Sequence, residues 1–132
     1  MILLDTNICI HIIKRKPIST LQHFQRYQPG DIGISAITLA ELQYGVAKSQ
    51  AQQRNQDALD EFLIPLEVLP FSDSATHAYG QIRASLERQG KIIGANDLLI
   101  AAHALSLDAL LVTNNTREFE RVSDLQLANW VE

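Results

Sequence analysis

A single cysteine, Cys9, is all the thiol this sequence offers, so an internal disulfide and a cysteine-built metal cage are both excluded. Cys9 reads as a small core residue. Apolar residues never run to the roughly 20 needed to span a bilayer, so no membrane helix is predicted. The opening stretch Met1–Pro17 carries Lys14, Arg15 and Lys16 after its apolar part and has no small-residue cleavage site. That order is wrong for a secretory signal, and a cytoplasmic protein is the expectation. The phosphate-cradling patterns GxxxxGKS/T and GxGxxG are both missing, which removes the usual support for a nucleotide-dependent activity. His11, His23, His77 and His103 are not paired at metal-ligand spacing and read as structural. A basic excess is lacking too. The net charge of −4 argues against a coat protein held on nucleic acid by general electrostatics. It leaves a nuclease open, because a cluster of active-site acids lowers the net charge and the metal it holds reverses the local sign.

The 132 residues, 46% of them hydrophobic and 20% charged, are enough for one domain with a real core. No repeat, low-complexity stretch or linker divides them, so a single domain over residues 1–132 is expected. Ile2-Leu3-Leu4 is a short apolar run stopped by Asp5-Thr6-Asn7, residues that favour turns and helix caps. A helix should follow to Ile13 and end before Pro17, with a second from about Ser19 to Tyr27 closed by Pro29-Gly30. Ile32-Gly33-Ile34 reads as a buried strand, and Ser35 is placed to cap a helix in which Leu39, Leu42 and Val46 recur at i, i+3, i+7. Ala58, Leu59, Phe62 and Leu63 form the stripe of a further helix ended by Pro65, and Leu66 to Leu69 is a candidate strand. Ser72 to Gln89 repeats Ala75, Tyr79, Ile82 and Leu86 on one face, with Gly90 suited to end it. Asn96 can cap a helix carrying Leu98, Ala101, Ala102 and Leu105. Ala109 to Val112 and Leu125 to Ala128 complete the strands. Continuous apolar strands alternating with amphipathic helices predict an α/β domain with a mostly parallel sheet of four or five strands covered on both faces.

In such a fold the C-terminal ends of the strands line one edge, where ligand sites lie. Asp5 follows the first strand, and Glu41 lies in the helix after the second. Asp97 starts the helix leading into the strand Ala109 to Val112, which Asn114 and Asn115 follow. Residues far apart in sequence are thus all directed to one edge. The chemistry supplies a motive. Cleaving a phosphodiester in water requires neutralising phosphate charge and making a nucleophile from water at neutral pH; Mg²⁺ or Mn²⁺ does both, held by carboxylates and water. Carboxylates crowded together raise one another's pKa unless a cation sits among them. Each acid also has a plain structural reading: Asp5 or Asp97 as a helix cap, worth about 0.5–2 kcal/mol, or a first-turn charge, and Glu41 as a solvated surface residue. Thr6, Ser35 and Thr113 could contact water or phosphate, and equally could cap helices.

Four blocks together carry a resemblance: Leu4-Asp5-Thr6-Asn7; Ile37-Thr38-Leu39-Ala40-Glu41-Leu42 with Tyr44-Gly45; Gly94-Ala95-Asn96-Asp97-Leu98-Leu99-Ile100-Ala101-Ala102-His103-Ala104; and Leu111-Val112-Thr113-Asn114-Asn115-Thr116-Arg117-Glu118-Phe119 with Asn129-Trp130. In order and spacing they resemble the PIN-domain nucleases, and within them the VapC toxins of bacterial toxin–antitoxin pairs. The resemblance spans essentially the whole chain. It implies an α/β/α sandwich, usually a homodimer, with Mg²⁺- or Mn²⁺-dependent endoribonuclease activity that stops translation, transfer RNA being a frequent target. It implies a VapB-type antitoxin that enters the active-site groove, forms a hetero-oligomer with the toxin and alone contacts operator DNA. Carried over by position, Asp5 and Asp97 would be metal ligands, and Glu41 would complete the catalytic acids. Many PIN domains have an Asp where this sequence has Asn115. Glu118 offers a replacement charge, or the site holds one metal firmly and a second weakly.

Two other readings compete. A receiver-type phosphotransfer domain would need a mid-chain phosphoacceptor Asp after a strand and a Lys after a late strand. Pro70-Phe71 and Thr113-Asn114-Asn115 stand in those places. A catalytically dead PIN fold serving as an RNA- or protein-binding module would be marked by loss of Asp5, Glu41 or Asp97, and all three are present.

Overall fold

The computed structural model describes residues 1–131. β1 (Ile2–Leu4) leads into α1 (Thr6–Lys14) and α2 (Ile18–Phe24), then β2 (Ile32–Ser35), α3 (Ala36–Ala47) and α4 (Gln52–Leu63). β3 (Glu67–Leu69) and α5 (Asp73–Gln89) follow, then α6 (Ala95–Ser106), β4 (Leu110–Val112), α7 (Thr116–Phe119) and β5 (Gln126–Ala128). The sheet has five strands in the order β3-β2-β1-β4-β5. All four pairings are parallel, with Leu4 opposite Ile34 on one side and Val112 on the other. The chain runs outward from β1 to β3, then returns to add β4 on β1's free side. The direction of winding reverses between β1 and β4, and the crevice at their C-terminal ends is the place where doubly wound sheets bind ligands.

Alternation along the central strands feeds two cores. Leu3 and Leu111 face a cluster built with Ile82, Leu86, Leu98 and Phe119 from α5, α6 and α7. Leu4, Ile34 and Val112 face the opposite cluster with Ile8, Leu42, Leu59 and Phe62 from α1, α3 and α4. Helices therefore cover both faces, as the apolar strands required. Cys9 is fully buried in the second cluster, as expected, and burial pushes its thiol pKa well up. At the same side Trp130 stacks against the rings of His23 and Tyr27, while Ser19 and Thr20 hydroxyls donate to the Val131 and Trp130 carbonyls. These contacts pin the last strand's exit to α2.

Several expectations are adjusted. The second helix stops at Phe24, three residues before Tyr27, and a turn carries the chain onward. β3 is an edge strand with Glu67 and Val68 exposed. α6 is capped by the Gly94 backbone, and Asn96, expected to cap it, sits inside the first turn and uses its side chain elsewhere. α7 is a single turn that the apolar periodicity did not announce. Ser35 does cap α3, accepting from the Ile37 N–H at 3.0 Å, and Gly90 ends α5 in the left-handed conformation with φ 66°.

Gly33 marks a close approach between strands. A Cβ there would meet the Glu67 carbonyl oxygen at 3.0 Å and a Leu69 methyl at 3.2 Å. Gly33→Val should force β3 away from β2 and cost about 1–3 kcal/mol, read as a lower urea midpoint.

His103 is a buried polar link between layers. Its Nδ1 lies 2.8 Å from the Ser35 hydroxyl, and Phe71 packs edge-on at 5.4 Å. Burial pulls its pKa below the ordinary 6.5, against the Pro70 carbonyl, which favours the protonated form. The unfolded chain takes up a proton that the folded chain resists, so this contribution is intact above 6.5 and is lost as pH falls below it. Wild type should therefore lose more stability than His103→Asn between about pH 7 and pH 5, measured as the difference in urea midpoint.

Candidate active site

Asp5 is the first residue after β1, and its backbone N–H donates to the Val112 carbonyl at 3.0 Å, locking it beside the end of β4. It caps α1: Oδ1 accepts from the Ile8 N–H at 2.9 Å. The capping reading thus holds, without excluding the functional one. Burial raises the Asp5 pKa, opposed by the Thr113 hydroxyl and the Ile8 N–H, which favour the carboxylate, and by the charge of His11. Thr113, fully buried, also accepts the Asn115 N–H at 2.9 Å, so it organises the chain leaving β4.

Glu41 is no free surface residue. Its Oε1 accepts from the Thr6 hydroxyl and its Oε2 from the Asn96 side chain at 3.1 Å. It is thereby held between the first turns of α1 and α6. Thr6 also lies 3.4 Å from the buried Thr38 hydroxyl. Asn96 is the site residue that sequence reasoning assigned to another task. Its signal was present in the adjacent pair Asn96-Asp97, since one cap position cannot employ both.

Glu118 has both oxygens engaged: Oε1 accepts from the Gly94 N–H at 2.8 Å and Oε2 from the Asn115 amide at 2.7 Å. Those bonds and the charge of Arg121 hold its pKa below the usual glutamate value. Asn115, standing where many PIN domains carry an Asp, orients this glutamate. Asp97 lies in the first turn of α6 and shares a hydrogen bond with Glu118. Burial first, then the negative charges of Glu118, Asp5 and Glu41, push its pKa up to about 7. Asp5, Glu41, Asp97 and Glu118 are therefore near enough to feel one another, together with Thr6, Thr113 and Asn115. Asn114 is exposed and makes none of these contacts.

An all-oxygen, electrostatically frustrated donor set suits a hard divalent cation. Among the described residues, no three His, Cys, Asp or Glu side chains form a complete ligand group. A cation that keeps several waters and takes one or two carboxylates, with substrate oxygens filling the rest, is the kind that fits. Beside Glu41 runs a cleft of about 310 Å³, with Ile10, Ile13, Leu42, Val46 and Leu59 among its walls.

A five-stranded parallel sheet with acids gathered at its switch point is the architecture of the PIN domain, whose family model matches residues 2–125. Ribonuclease VapC2 of Rickettsia felis is 50% identical over 129 residues, covering 97% of this chain and 96% of that protein. The tRNA(fMet)-specific endonuclease VapC of Shigella flexneri is 48% identical over 128 residues, covering 97% and 96%. The toxin–antitoxin complex VapBC2 of Rickettsia felis, crystallised on a DNA fragment from its promoter, contains a chain with a TM-score of 0.92 and 48% identity, covering 98% of this chain and 99% of that one. The chain belongs to the PIN-domain family and, within it, to the VapC ribonucleases. PIN-domain nucleases depend on divalent metal, and the donor set described above is compatible with that requirement.

The raised Asp97 pKa has a measurable consequence. Its folded value of about 7 against an ordinary 3.8 means the stabilising contribution of its proton is complete below about 4 and lost as pH rises through about 7. Asp97→Asn should therefore melt higher than wild type in metal-free buffer above pH 7, and any rise in melting temperature on adding a divalent cation should be smaller in the variant than in wild type. Differential scanning calorimetry with and without metal checks both.

Proposed function

We propose that this chain acts as a single-domain endoribonuclease toxin, residues 1–132, that uses Mg²⁺ or Mn²⁺ to cut RNA, with transfer RNA as the substrate class. The observation that carries the reading is the convergence of Asp5, Glu41, Asp97 and Glu118 at one sheet edge with their charges opposed to one another. The relative from Shigella flexneri, named a tRNA(fMet)-specific endonuclease, supports that substrate class at 48% identity. Acids held this way have little use in a binding module, which disfavours the catalytically dead reading.

A bound divalent cation supplies charge neutralisation at the scissile phosphate and a nucleophile from water at neutral pH. Asp5 and Asp97 are the residues that would hold it. Asp5 would offer the oxygen not committed to the Ile8 N–H, and Asp97, whose pKa burial and the neighbouring acids push up to about 7, would bind as the carboxylate. Glu41, its oxygens held by Thr6 and Asn96, would accept a proton from, or orient, the attacking water. Glu118 stays anionic under the Gly94 N–H and the Asn115 amide and adds the fourth charge.

The partner is a VapB-type antitoxin, as in the related complexes from Rickettsia felis and Salmonella typhimurium, both solved on DNA. The apolar cleft beside Glu41 gives an antitoxin segment a place to bury side chains next to the acids. Operator DNA is reached through that antitoxin, and the toxin pairs with itself as a homodimer. No helix among the described residues is long and apolar enough to cross a membrane, and the site of action is the cytoplasm, where transfer RNA is found.

Purified protein incubated with total cellular RNA should give discrete fragments with Mg²⁺ or Mn²⁺ and none with chelator. Asp5→Asn should lower the rate by at least about 100-fold while remaining folded by circular dichroism. Absence of cleavage by folded, antitoxin-free, metal-loaded protein would return the binding-module reading to first place.

A further inference from the structure

α7 and the three residues after it present two faces at the same i, i+3 spacing. Phe119 and Val122 go into the core, at 1% and 5% exposure. Glu118 and Arg121 both reach the strap Lys91–Gly94, which joins α5 to α6. The strap has Ile93 buried and Ile92 and Lys91 exposed. Two hydrogen bonds tie it to this turn: the Arg121 Nη1 donates to the Ile92 carbonyl at 3.1 Å, and the Gly94 N–H donates to Glu118 Oε1 at 2.8 Å. The anchors are two residues apart, with Ile93 between them in the core.

We propose that Arg121 is a positioning residue for the active site: by holding the Ile92 carbonyl it fixes the strap so that the Gly94 N–H meets Glu118 and keeps that carboxylate beside Asp97. The inference rests on the endoribonuclease reading above. Its physical basis is the repulsion within the site. Once Asp97 is ionised, Glu118 and Asp97 carry like charge in close quarters, and a glutamate side chain without a donor has staggered rotamers that would take it into solvent. Arg121 could have opposed this by pairing with Glu118 directly, but that would cancel charge the site needs. No ion pair to Arg121 is present among the described residues. Its guanidinium bonds a backbone carbonyl and acts on Glu118 only through space, so the oxygens of Glu118 remain with the neutral donors Gly94 and Asn115. Arg121 touches neither Asp5 nor Asp97 through any hydrogen bond in the structure, and acts through the strap.

The test compares wild type, Arg121→Gln, Arg121→Lys, Glu118→Gln and the Arg121→Gln/Glu118→Gln double variant, each as the full chain. The Gly94 amide, bonded to a carboxylate, should resonate downfield in nitrogen–proton spectra of metal-free wild type. In Arg121→Gln it should move upfield, towards its position in Glu118→Gln, and exchange with solvent at least about 10-fold faster. RNA cleavage by Arg121→Gln should fall about 10-fold in kcat with KM and its salt dependence unchanged. Arg121→Lys, which can still donate to the carbonyl, should recover part of both signals. The double variant should be no slower than Glu118→Gln alone. A raised KM with a shallower salt dependence would overturn the proposal, since it marks Arg121 as a direct phosphate contact. So would an unmoved Gly94 amide, or losses that multiply in the double variant. If wild type cleaves nothing, the endoribonuclease reading fails, and the amide still decides whether Arg121 holds the strap.

Discussion

Like charge held at close range is the condition to which the rest of this structure conforms. Asp5, Glu41, Asp97 and Glu118 meet at the sheet's switch point, and the burial and mutual repulsion that push Asp97 up to about 7 measure the conflict. Neutral donors hold the other three: the Ile8 N–H and Thr113 for Asp5, Thr6 and Asn96 for Glu41, the Gly94 N–H and Asn115 for Glu118. Neutral donors fix direction without discharging the site. An arginine or lysine in any of these places would have stabilised its carboxylate more and left less negative field for a cation and the phosphate beside it.

The two cores make such frustration tolerable. Leu3 and Leu111 lock the sheet to α5 and α6 on one face, and Leu4, Ile34 and Val112 lock it to α1, α3 and α4 on the other. Each acid comes off the end of a strand or the first turns of a helix whose opposite side is buried. The side chains can therefore be held against repulsion by elements anchored in the two cores. His103 adds a polar tie through the interior, joining α6 to the Ser35 cap of α3, the helices that carry Asp97 and Glu41.

Much of this was legible in the sequence. Strands in a doubly covered sheet are continuous apolar runs, so Ile2-Leu3-Leu4 and Leu110-Leu111-Val112 declared themselves, and the order of elements placed Asp5, Glu41 and Asp97 at one edge. What was not legible depended on contacts between segments. Asn96 has the chemistry of a cap, and only the nearness of Glu41 shows where its amide goes. α7 is too short to display a helical period, and its identity lies in Phe119 and Val122 reaching the core. Glu67 and Val68 look like half of a buried strand until the sheet order makes β3 an edge. The role of Asn115 emerged only with Glu118 three residues on, because a neutral side chain at a metal site reads as a loss until its neighbour is seen bonded to it.

The placement of β1 at the middle of the sheet also bears on how such a protein is made. Asp5 lies more than a hundred residues before β4, whose Val112 carbonyl receives its N–H, and before Glu118. No shorter stretch of nascent chain contains the whole acid cluster. A nascent chain therefore cannot assemble the site piecemeal: until the residues through Glu118 have been made, the acids already synthesised lack the strand and the neighbours that hold them in place.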